Sequence, residues 1–146
     1  MDCCCKKGFP AALAVFAFKI VSGMVLCGGI FKWVYALPPV NVWRPIQAPG
    51  ISFYVGTFIV SMLFVFFYKT FSPALAHLEK VQRGLMYGLG VWAVGILPGM
   101  LATHVFMPVN HTVVIYWTIS GLILTLAEGL IVALILGDGE SCSIKK

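Results

Sequence analysis

Acidic residues are scarce in this sequence: five Asp and Glu stand against ten Lys and Arg in 146 residues. Charged residues of both signs make up 10% of the chain, whereas a soluble domain carries about a quarter. A globular protein with a water-facing surface is therefore excluded. The chain also lacks a G-x-S-x-G elbow, an H-E-x-x-H pair, a phosphate-binding glycine loop and an array of paired carboxylates. Those absences remove the simple motif matches to hydrolase, zinc-protease and nucleotide-binding chemistry. The connections between apolar runs are short, leaving little room for an extramembrane catalytic domain. A non-enzymatic protein is favoured, and no cofactor is expected.

Apolar residues are abundant instead, at 60% of the chain with a mean hydropathy of +0.98. A helix of about 20 apolar residues crosses the roughly 30 Å hydrocarbon core of a bilayer. Four runs answer to that description, at about 10–36, 51–68, 85–107 and 113–136. The second is rich in Phe and Val, which suits a strand by propensity. A lone strand cannot satisfy its backbone in lipid, so it too is read as a helix. The expectation is an all-α integral membrane protein, a single domain over 1–146 forming an up-down-up-down four-helix bundle. Four prolines in the loop 38–50 keep it non-helical. Pro73 to Gln82 reads as a short amphipathic helix at the interface between spans two and three, with Pro73 tolerated in its first turn.

The net charge of +5 would suggest nucleic acid as a partner of a soluble protein. Here the basic residues cluster at the ends of apolar runs, where lipid and topology account for them, so the bilayer is the expected partner. Lys6, Lys7, Lys69, Lys80, Arg83, Lys145 and Lys146 fall on one side, and Arg44 and Lys32 on the other. The positive-inside rule then expects both termini in the cytoplasm.

One acid lies deep in an apolar run. The stretch from Val113 to Leu136 carries Glu128 and no other charge, and an ionisable group so placed normally has a partner or a task. Lys19 is isolated in the first run in the same way. Counted from the cytoplasmic ends of their spans at 1.5 Å per residue, both lie roughly 13 to 15 Å deep. First and last helices of such a bundle are neighbours, so a Lys19–Glu128 ion pair is expected. It either fixes helix register or serves as a proton or cation coupling site. The lack of further intramembrane acids weighs against a stand-alone proton pump.

Glycine dominates the third run. Gly84 and Gly88, then Gly95 and Gly99, form two small-x₃-small spacings that let helices approach closely, and Gly121 leaves room beside Glu128 on the fourth. Oligomerisation and packing within one bundle are equally good uses. Pro98 should kink the third helix. Cys3, Cys4 and Cys5 precede two lysines; free thiols, acylation and soft-metal binding are the open states, the spacing being wrong for an ordinary zinc site. His104 and His111, at the outer end of span three and in the following turn, are the outer-side candidates for a metal or haem ligand, with satisfied or solvated histidines the commoner state.

The sequence thus points to a multi-pass membrane subunit, self-associating as a homo-oligomer or built into a larger membrane complex. An oligomeric small-solute or ion transporter coupled through Glu128 is the alternative. A membrane redox or lipid-handling enzyme centred near His104 and His111 comes third.

Overall fold

In lipid a chain must satisfy its backbone polar groups within itself, and the helix does so segment by segment. The computed structural model describes residues 7–39 and 50–137, and every regular element among them is helical. Four helices are long and apolar enough to cross a membrane: the first over Gly8–Ile30, the second over Ile51–Leu75, the third over Lys80–Phe106 and the fourth over His111–Leu136. Their most apolar windows have mean hydropathies of 2.0, 2.0, 1.7 and 2.4. The protein is accordingly a multi-pass membrane protein by length and composition.

Hydroxyl side chains follow the same rule as the backbone. Ser61, fully buried, donates to the Thr57 carbonyl at 2.8 Å, and Ser22, Thr118 and Thr125 donate to the carbonyls of Phe18, Val114 and Gly121. Each reaches back one turn of its own helix, so none of these hydroxyls carries an unmet hydrogen bond into the apolar interior.

Neighbouring helices run antiparallel, as the residue pairs between them show. Phe16 meets Phe58 at 5.7 Å between ring centroids, tying the first helix to the second. Phe31 and Trp33, beyond the far end of the first helix, meet Tyr116 near the start of the fourth, while Lys19 meets Glu128 further along. Tyr87 of the third helix packs edge-on against Phe64 and Tyr68 of the second and donates its hydroxyl to the Phe64 carbonyl at 2.7 Å. Two apolar clusters result. One, at the end holding Gly8 and Leu136, gathers Ala11, Ala12, Val15, Val65, Val132 and Ala133 with these aromatics; the other, at the opposite end, gathers Val34, Val109, Val113 and Val114.

The third and fourth helices cross with backbone against backbone. A Cβ added to Gly84 would lie 2.7 Å from the Gly129 carbonyl oxygen and 2.8 Å from the Ala133 methyl. A Cβ on Gly88 would run into the Thr125 carbonyl, and one on Gly129 into that of Gly84. These glycines are required by close approach, since any side chain would force the helices apart.

Two details depart from the sequence expectation. Pro73 to Gln82 is not one interfacial helix: Ser72–Leu75 closes the second helix as a 3-10 turn, Glu79 is extended, and the third helix starts at Lys80 rather than 85. Arg83 braces this connection, reaching back from the third helix so that its Nε donates to Leu75 O at 3.2 Å and its Nη2 to Leu78 O at 3.0 Å. One guanidinium thereby satisfies the Leu78 carbonyl in the connecting turn and adds a second donor to that of Leu75, which also accepts from Leu78 N at 3.0 Å, and so holds the turn tight. The other departure is that the first and third helices widen into π turns at Met24–Ile30 and Trp92–Ile96. The second of these precedes Pro98, whose ring and missing N–H disturb the preceding turn.

Candidate functional site

Beside the first apolar cluster, one turn from Val15 and Val132, a charged pair spans the first and fourth helices. Lys19 Nζ lies 2.7 Å from both Oε1 and Oε2 of Glu128, so one ammonium donates to both carboxylate oxygens. The Glu128 side chain is 3% exposed and that of Lys19 22%. The ammonium also stands 5.7 Å from the centre of the Phe64 ring, a cation–π contact contributed by the second helix. Thr125 lies one turn before Glu128 and spends its hydroxyl on Gly121 O. Gly129 follows immediately, leaving space for the third helix to press in.

Chemically, the arrangement can neutralise two charges that would each be expensive alone in lipid. Breaking such a pair strands a charge, whereas replacing both members with apolar groups is often harmless. Two apolar grooves open on the surface of the bundle. The first, of about 660 Å³, lies between the second and third helices and is lined by residues including Phe67, Tyr87, Gly90, Val94 and Gly95. The second, of about 450 Å³, lies between the third and fourth helices and includes Leu97, Leu101, His104, His111 and Ile115. Neither is lined by Lys19 or Glu128.

The glycines singled out from sequence divide into two groups. Gly84 and Gly88 are filled by the fourth helix, and Gly121 receives the Ile96 side chain, its Cβ position being 3.0 Å from Ile96 Cγ2. Gly95 and Gly99 have nothing within 4 Å of their Cβ positions. His104 and His111 come together, Nδ1 to Nδ1 at 3.2 Å with ring centres 4.6 Å apart, and both are exposed. Cys3, Cys4 and Cys5 lie outside the described residues. Among the described residues no three His, Cys, Asp or Glu side chains group closely enough to hold a metal ion.

Three positioning residues went unnoticed in the sequence. Arg83 and Tyr87 have been described; the third, Trp92, donates its indole N–H to Thr118 O at 3.0 Å. All three are polar-tipped side chains on one helix, interleaved with Gly84, Gly88 and Gly95. That alternation of large polar tips with glycines was the available signal. No family model, no curated protein and no solved structure matches the chain.

Proposed function

We propose that this protein is a non-enzymatic membrane subunit, both termini cytoplasmic, that self-associates through the far half of its third helix. The carrying observation is the contrast within that helix: Gly84 and Gly88 are occupied by the fourth helix, while Gly90, Gly95 and Gly99 have nothing within 4 Å of their Cβ positions. Gly95 and Gly99 keep the small-x₃-small spacing, which in lipid favours close helix–helix contact because packing rather than water exclusion drives association. The bias of basic residues toward the Lys69–Arg83 side supports the orientation. The Lys19–Glu128 pair has a structural task in this view, fixing the first helix against the fourth at one depth. A coupling role for Glu128 in ion transport is less well supported, because Lys19 takes both of its oxygens and neither groove reaches it.

Particle mass in mild detergent tests the proposal. The wild-type chain of 15.9 kDa should run as a multiple of itself, and Gly95→Leu with Gly99→Leu should run as a folded monomer. A monomeric wild type overturns self-association. Co-purification with other subunits would place the same face in a larger assembly.

A further inference from the structure

The paired imidazoles stand at the opposite end of the third helix from Gly84, beyond the glycines on which the proposed self-association rests. We propose that His104 and His111 form a binding site for one zinc-class ion, held through both Nδ1 atoms.

The distance carries the proposal. Zinc bonds to imidazole nitrogen at about 2.0–2.1 Å in tetrahedral geometry, so two of its ligands stand about 3.3–3.4 Å apart. The two Nδ1 atoms stand 3.2 Å apart with their ring planes inclined at 56°. They face one another rather than facing away as a solvated pair would. Without metal, that spacing is met by a single N–H donating to the other nitrogen. Ligation through both Nδ1 atoms requires each ring to carry its proton on Nε2, so the ion takes the place of that shared proton.

The turn between the rings is built to keep them there. His104 sits in the last turn of the third helix, and His111 is the first residue of the fourth. Asn110 caps the fourth helix, accepting from Thr112 N at 3.0 Å through Oδ1, and donates through Nδ2 to Pro38 O at 3.3 Å. Val109 and Val113 are buried in the cluster around Val34, pinning the turn from below. The ligands are therefore placed before the ion arrives, which removes much of the ordering cost that weakens two-ligand sites.

Imidazole nitrogen suits zinc and its neighbours in the first transition series, and disfavours magnesium and calcium, which want oxygen. Two protein ligands leave two tetrahedral positions open. Both rings line the apolar groove of about 450 Å³ with Leu97, Leu101 and Ile115, so water or another small donor completes the shell.

The test uses the full chain in detergent with its five cysteines alkylated, so that thiolates do not compete. Zn²⁺ is titrated against a chromophoric chelator, and Co²⁺ replaces it as a spectroscopic probe. The expected result is one equivalent of metal per chain, with tetrahedral cobalt bands in the visible range. His104→Gln and His111→Gln should each weaken binding at least tenfold, while elution volume and helicity stay unchanged. Metal binding that is the same in wild type and in the double variant overturns the site, as does no binding by the wild type. Because particle mass is read separately, failure here and failure of self-association are distinguishable.

Discussion

The two ends of the third helix use the same residue for opposite purposes. Toward Lys80, glycine lets the fourth helix press in until backbone meets backbone, and a single Cβ at Gly88 would collide with Thr125. Past Trp92 the helix loosens into a π turn, and its glycines at 95 and 99 face open space. Glycine spacing therefore marks where a close approach is permitted, and the neighbouring helix decides whether it is taken. The Lys19–Glu128 pair is level with the tight end, Glu128 lying between Thr125 and Gly129, which Gly88 and Gly84 meet.

That pair should be the most sensitive point. Lys19→Met leaves Glu128 buried without a counter-charge and should cost about 3–5 kcal/mol, read by reversible unfolding in mixed micelles. Adding Glu128→Gln should recover much of the loss. Additive losses would mean that the two residues act separately. Within the tight end, Gly88→Ala should cost about 1–3 kcal/mol as overpacking, or more because the obstacle is backbone. Arg83→Met removes the side-chain donor from the Leu78 carbonyl and one of two donors from that of Leu75, at about 1–3 kcal/mol, and should speed amide exchange at the end of the second helix. At the open end, Gly99→Ala should change monomer stability by less than about 0.5 kcal/mol. If Gly99→Ala destabilised the monomer as much as Gly88→Ala, the contrast between the ends would fail.

Much of this architecture was legible in hydropathy and counting. Four apolar runs gave four helices, and equal distances from one membrane face put Lys19 and Glu128 on a level, where the structure has them in contact. What stayed hidden depends on partners that a one-dimensional pattern does not name. Small-x₃-small spacing looked alike at Gly84 and Gly95, because nothing in either stretch says which helix lies opposite. The third helix was expected to begin at 85 since hydropathy falls at Lys80 and Arg83, yet the backbone continues through both. A charged side chain ends an apolar run; it does not end a helix when its guanidinium has carbonyls to bind. The closeness of His104 and His111 was also hidden, for it is set by the Asn110 turn and by the third helix's path after Pro98.

The π turn at Trp92–Ile96 has a consequence for how the chain tolerates change in length. There the Leu97 N–H bonds to the Trp92 carbonyl five residues back, so the helix holds one residue more than an α turn would. Deleting one residue within it restores an α turn and leaves everything beyond in phase, whereas the same deletion in an α stretch rotates everything beyond by about 100°, one residue's share of a 3.6-residue turn. His104 would stay opposite His111, and Gly84 and Gly88 would keep their places on the fourth helix. The extra residue is thus absorbed within one turn, which makes Trp92–Ile96 a place in the third helix where a one-residue change in length leaves both ends aimed as they are.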